Sequence, residues 1–235
     1  KDAEELVLFD PNTLTGEVHT AIDWYVPSRN GKLVAYGTSQ GGSEESTLYV
    51  LEVESKKTLD LAISRVRFGL VSWLEDNQSF LYRRFPERPA DAPETEKYND
   101  SCTYLHQLDN DPEHDPSVFG PGVNSHAEID NQDFPFIRTS SSSDWMIGLV
   151  IHGVRNEPTL YTAPRSMLTE PKTCLWTKIA DIEDAITDFA FVDDTIYLKT
   201  HKDALRYKII ATSLKTPDVA SAVTIIPESK VVIQG

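Results

Sequence analysis

Cysteine is scarce in this chain: Cys102 and Cys174 are the only two in 235 residues. That is too few for a disulfide scaffold, and they are too far apart for a paired-cysteine metal site. Two lone thiols fit a reducing compartment, so a cytoplasmic location is expected. Basic residues are also in deficit, 22 against 37 acidic ones, for a formal charge of -15. Such a surface repels nucleic acid and anionic membrane, so neither is expected as a partner. No stretch approaches the roughly 18 consecutive apolar residues of a membrane-spanning helix. The opening string "KDAEELVLFD" has no apolar run behind a positive charge, so no signal peptide is visible. Long helical periodicity is missing as well, apart from Ile179, Ile182, Ile186 and Phe189, which are spaced like one face of a short helix. The run that follows, "TDFAFVDDTIYL", alternates like a strand pair, so most of that region reads as extended.

What the chain does contain is short apolar runs between polar turns. Hydrophobic residues make up 40%, enough for an ordinary core. Val34–Tyr36, Leu48–Leu51, Phe80–Tyr82 and Ile196–Leu198 read as strands, separated by "PSRNGK", "EDNQ", "SSSSD" and "VDD". Asn30-Gly31 is a strong tight-turn signal. Stacked, the segments show self-similarity: strand, polar turn, strand, then a further strand carrying a tyrosine. Those tyrosines are Tyr49, Tyr104, Tyr161 and Tyr207, at spacings of 55, 57 and 46 residues. A period near 50 with about four strands per unit is the signature of a β-propeller blade. A β-sandwich also has many short strands, but the fourfold recurrence of one order favours the propeller. The expected fold is all-β, an incomplete propeller of about four to five four-stranded blades. The expected units are 1–20 (end of a preceding blade), 21–65, 66–125, 126–182, and 183–235 with the start of the next.

Two motifs invite chemistry. Gly37-Thr38-Ser39-Gln40-Gly41 spells G-x-S-x-G, the nucleophile elbow of serine hydrolases. An elbow needs a strand before the serine and a helix directly after it. Here "QGGSEESTLYVLEV" follows, two glycines and then a β-rich run, and no histidine sits in a pattern marking a catalytic base. Ser39 therefore reads as a turn residue, and no catalytic residue is expected in this chain. In "DNDPEHD", Asp109, Asp111 and Glu113 alternate like the start of a calcium loop. The sixth position is His114 where glycine is needed, and the twelfth is Gly120 where glutamate is needed, so the loop reads as a solvated acidic hairpin. His106 and His114 belong to no compact ligand set, so no metal and no cofactor are expected.

Several strings resemble one family. "VLFDPNTL" (Val7–Leu14), "GKLVAYGTSQGGSE" (Gly31–Glu44), "SRVRFGLVSW" (Ser64–Trp73) and "YLHQLDNDPEHDPSVF" (Tyr104–Phe119) are similar to the non-catalytic propeller domain of prolyl oligopeptidase-family serine peptidases. The likeness is clear from about residue 6 to residue 120, continues through Trp145–Tyr161 and fades beyond Ala180. It departs at Asp109-Asn110, where the family usually has Gly-Thr, and at Pro116, where it has an apolar residue.

The resemblance implies a seven-bladed propeller capping a Ser-Asp-His site in a separate α/β-hydrolase domain. The parent enzyme would cleave short peptides after proline, or, in a close variant, after basic residues. It implies that this chain, opening at Lys1 and ending at Gly235, holds four blades and part of a fifth without the catalytic machinery. Its partners would then be that hydrolase domain and a short peptide, and its unpaired blade edges would favour self-association. In the family, a phenylalanine shortly before the tryptophan of an inner strand lines the acyl-side pocket, a place that Phe68 occupies in "VRFGLVSW". An arginine is supplied from the region of Ile151–Arg155, which singles out His152 and Arg155. The alternative reading is a stand-alone interaction propeller, against which stands the absence of recurrent Trp-Asp or Gly-His signatures.

Overall fold

The structure, a computed structural model, describes residues 5–13 and 19–234. Of the expected first segment, 1–20, residues 1–4 and 14–18 lie outside those described. Sixteen strands form four four-stranded antiparallel sheets among the described residues, each in simple chain order. The first holds β1 (Thr20–Pro27), β2 (Leu33–Gln40), β3 (Thr47–Glu52) and β4 (Lys57–Thr58). The second holds β5 (Ser72–Trp73), β6 (Ser79–Arg84), β7 (Cys102–Gln107) and β8 (Ser117–Phe119). The third holds β9 (Phe134–Thr139), β10 (Trp145–Ile151), β11 (Thr159–Pro164) and β12 (Thr177–Ala180). The fourth holds β13 (Ile186–Val192), β14 (Thr195–Thr200), β15 (Lys208–Ser213) and β16 (Val223–Ile226). The helical segments among the described residues are 3-10 turns, none longer than the five residues Arg165–Thr169. No described helix is long and apolar enough to cross a membrane.

Local chemistry sets these elements. The β1–β2 hairpin closes at Asn30-Gly31, where Gly31 takes φ 69° and the Asn30 side chain accepts from the Ser28 hydroxyl and the Lys32 N–H. The region with helical spacing, read as mostly extended, is two strands around a single 3-10 turn, Ile182–Asp184. A capping box at Asp181 and Asp184 starts it, and Ala185 at φ 53° ends it, so the chain leaves at once into β13. Tyr49, Tyr104 and Tyr161 lie in the third strands of their sheets, but Tyr207 does not: it sits at φ 67° in the turn before β15. This displacement contributes to the short third spacing; Tyr207 packs on His201 and Lys199 there.

The chain divides into two compact units, Lys1–Pro89 with Leu105–Asp115, and Ala90–Tyr104 with Pro116–Gly235. In the first, Leu48, Val50, Ile63, Phe80 and Leu81 are fully or almost fully buried. Its first sheet is tied to β5 by the Trp73 indole donating to Val26 O and by Arg29 Nε donating to Trp73 O, at 3.1 Å each. In the second unit, Ile147, Val150, Leu160 and Tyr161 form the centre, and Ser143 and Trp145 donate to Asp193 O and Asp194 Oδ1. The strands of the first and fourth sheets are partly bare: Ile22 and Tyr25 in β1, and Val223, Ile225 and Ile226 on β16, are exposed.

Candidate functional site

Ser39 is not a turn residue. It lies inside β2, 3% exposed, paired with Ala21, and the turn comes after it at Gly41 and Gly42, both at positive φ. Its hydroxyl donates to Asp23 Oδ1 at 2.8 Å. β1 bulges between Ile22 and Trp24, and the extra residue, Asp23, also accepts from the Ser46 hydroxyl at 2.5 Å. A serine bonded directly to a carboxylate, with no imidazole between them and a β-hairpin after it, lacks the Ser–His pairing and the helix of a nucleophile elbow.

The acidic hairpin also differs from expectation. Asp111 caps the 3-10 turn Pro112–His114, and Glu113 pairs with the buried Arg84. Asp115 is no solvated acid: its side chain is 3% exposed and accepts from the Tyr82 hydroxyl (2.8 Å) and from His106 Nδ1 (2.9 Å), whose ring is fully buried.

Phe68 sits in the segment Arg65–Gly69, where Arg65, Phe68 and Gly69 take φ of 64°, 66° and 31°. A β-carbon at Gly69 would lie 2.0 Å from the Trp24 ring, and one at Gly37 2.2 Å from it, so the indole is wedged between two glycines. The segment's carbonyls are held from β6 and just beyond. Arg84 Nε donates to Ser64 O (3.2 Å), Phe85 N–H to Arg65 O (3.1 Å) and Arg83 Nη2 to Arg67 O (2.9 Å). All six residues of β6 are buried, both arginines included. These arginines are the functional framework that sequence reading missed; the signal was "SFLYRRF", two guanidinium groups inside an apolar run. Burial first, and the neighbouring Arg67 second, push Arg83 down to about 9, so it stays a cation at neutral pH.

Phe68 itself is 54% exposed. The Arg67 guanidinium lies 4.7 Å and that of Arg83 5.6 Å from its ring centroid, close enough for cation–π attraction to fix the ring. Arg67 also pairs with Glu44, which comes from the β2–β3 turn. Asp23, Trp24, Glu44, Ser46, Arg67 and Phe68 line a cavity of about 390 Å³ in this unit. Such a cavity offers an aromatic wall and charged groups at fixed places to an organic ligand.

His152 and Arg155 belong to the second unit. His152 follows β10 directly, and its two ring nitrogens lie 2.8 Å from Asp133 Oδ1 and 2.9 Å from Thr159 Oγ1. Arg155 is exposed on the same turn, its N–H donating to His152 O at 3.1 Å. The turn brings these two together. No cluster of three or more histidine, cysteine or acidic side chains able to hold a metal occurs among the described residues.

The family model of the prolyl oligopeptidase N-terminal β-propeller domain matches residues 1–235. Prolyl oligopeptidase A of Amanita bisporigera is 24% identical over 229 residues, covering 90% of this chain and 29% of that protein. Prolyl endopeptidase of Elizabethkingia meningoseptica is 25% identical, covering 95% of this chain and 30% of its own length. This chain thus spans about three tenths of the length of these relatives. Among solved structures, prolyl oligopeptidase B from Galerina marginata bound to a 25mer macrocyclization substrate superposes with a TM-score of 0.77 at 23% identity, over 94% of this chain and 31% of that one.

Proposed function

This chain belongs to the family of prolyl oligopeptidase N-terminal β-propeller domains, and from that premise we propose that it is the substrate-gating part of a serine peptidase that hydrolyses short peptides after proline. The chemistry, acyl transfer through a serine nucleophile, is carried out by an α/β-hydrolase domain of the parent chain, which is this domain's partner. This chain contributes selection and contact. Phe68 is its peptide-facing residue, supported by one observation above the others: a non-glycine backbone held at φ 66° on buried arginines so that an aromatic ring stands half out of the surface. Strain of this kind is retained where a side chain must be presented. Arg155 is a second peptide contact, and His152 holds the turn that carries it. The unpaired thiols support a reducing, cytoplasmic setting. Isolated from the rest of the parent, the chain associates with itself through the bare apolar side chains of β1 and β16, which size-exclusion chromatography over a concentration series detects.

The test is binding of a non-cleaved proline-containing peptide to this chain, by calorimetry, alongside the same peptide with arginine in place of proline. Phe68→Ala should weaken the proline peptide about tenfold, the loss of roughly 1.4 kcal/mol of aromatic contact. Unchanged affinity removes Phe68 from the peptide path, and tighter binding of the arginine peptide moves the parent to the basic-residue branch. The chain alone should not hydrolyse a chromogenic proline peptide; turnover abolished by Ser39→Ala would overturn the whole reading.

A further inference from the structure

The hydrogen bonds around His152 can be counted proton by proton. Thr159 Oγ1 lies 2.9 Å from His152 Nε2 and 3.1 Å from Asp181 Oδ1, and a hydroxyl has one proton to give. Asp181 accepts from the Ile182 N–H (2.8 Å) and from Lys178 Nζ (2.9 Å). The Lys178 hydrogen bond foremost holds its carboxyl below the usual carboxylate range, so it is an acceptor only. Thr159 therefore gives its proton to Asp181, and Nε2 must be the donor to Thr159. On the other side, Asp133 Oδ1 faces Nδ1 at 2.8 Å while its Oδ2 accepts from the Asp130 N–H at 3.1 Å. A carboxylate facing Nδ1 needs a donor there too.

Resting on the reading of the 152–157 turn as peptide-facing, we propose that His152 is the positioning residue of that turn in its doubly protonated form, one ring N–H held by Asp133 and the other, through Thr159, by Asp181. Its carbonyl in turn accepts the Arg155 N–H. The far end of the turn is held by a second imidazole, His201, whose Nε2 lies 3.0 Å from Glu157 Oε1. The charged groups around the pair are these. His152 is faced by Asp133 from the segment before β9, and by Thr159 of β11 with Asp181 and Lys178 behind it; Arg155 lies in its own turn. His201 is faced by Glu157 and by the Tyr207 ring at 5.9 Å; Lys199 lies over that ring, and Lys202 pairs with Asp184. If Nε2 loses its proton, it becomes an acceptor. Thr159 then bonds either the ring or Asp181, and one link of the chain breaks. A network that needs both ring protons is complete only while both are bound, so loss of the Nε2 proton loosens the turn.

The experiment is long-range 1H–15N correlation of the imidazole rings in the 15N-labelled chain at pH 6.0 and pH 8.5, with amide exchange at Val154 and Arg155 corrected for intrinsic rates. At the lower pH both His152 nitrogens should show protonated shifts and the turn amides should be protected. Any loss of the Nε2 proton at the higher pH should lower protection about tenfold, the equivalent of one lost charge-assisted hydrogen bond. Thr159→Ser, which keeps the hydroxyl, should retain this pH dependence, and Thr159→Val should abolish it. A single neutral tautomer of His152 at both pH values, or equal pH dependence in Thr159→Val and the parent, would overturn the proposal. Peptide affinity is read separately through Phe68→Ala, so either reading can fail without the other.

Discussion

Replacing Asp115 by alanine removes the common acceptor of a polar cluster that water does not reach. The Asp115 side chain is 3% exposed, and it holds the fully buried His106 ring and the buried Tyr82 hydroxyl. Its loss leaves a ring nitrogen and a phenol inside the protein without their acceptor. Each buried polar group left unsatisfied costs about 1–3 kcal/mol. Two of them give about 2–6 kcal/mol, which brackets the roughly 3–5 kcal/mol typical of breaking a buried ionic pair. Urea unfolding followed by circular dichroism measures it: at a slope of roughly 2 kcal/mol/M, a loss of about 4 kcal/mol moves the midpoint by about 2 M. Asp115→Asn retains one acceptor oxygen and should fall between alanine and the parent. Glu87, 86% exposed and 3.3 Å from Arg65, is the control, and Glu87→Ala should stay within about 0.5 kcal/mol. A midpoint for Asp115→Ala no lower than that of Glu87→Ala would refute the claim that Asp115 is the acceptor on which these buried polar groups depend.

Two further outcomes follow from the packing and from the thiols. Gly37→Ala puts a β-carbon 2.2 Å from the Trp24 ring and should destabilise by about 1–3 kcal/mol, whereas Gly37→Ala in a Trp24→Ala background should add little; additive costs in that double-mutant cycle would show that the indole is not the obstacle. Burial pushes both Cys102 and Cys174 up to about 11, with Asp100 adding to the effect at Cys102, so at pH 8 only about one thiol in a thousand is a thiolate. A disulfide-exchange reagent should leave the native chain unmodified at that pH and label both thiols in urea; rapid native labelling would contradict the burial.

The sheets were legible in the sequence because strand alternation and a tyrosine on the third strand are local signals. Tyr49, Tyr104 and Tyr161 each mark the third strand of a sheet. Tyr207 shows the limit: its letters, "LRYKIIA", are those of a strand, and only the turn at Ala204–Tyr207 sets it outside. Partners across the fold were not legible. Nothing local distinguishes Asp115 from its exposed neighbour Asp111, because what buries Asp115 is Tyr82, 33 residues away. Ser39 was misplaced for the same reason: Gly41 and Gly42 signal a turn, but the register with β1 carries the strand through Gln40. Around Phe68 the family likeness pointed to the ring, while Arg83 and Arg84, which hold its segment, were hidden in a run that reads as ordinary core.

The bare flank of β16 carries a consequence for how this chain behaves in solution. Val223, Ile225 and Ile226 present branched aliphatic carbon to water at one half to two thirds exposure. Branched aliphatic surface of this kind favours association, so the behaviour of this chain in solution depends on its concentration.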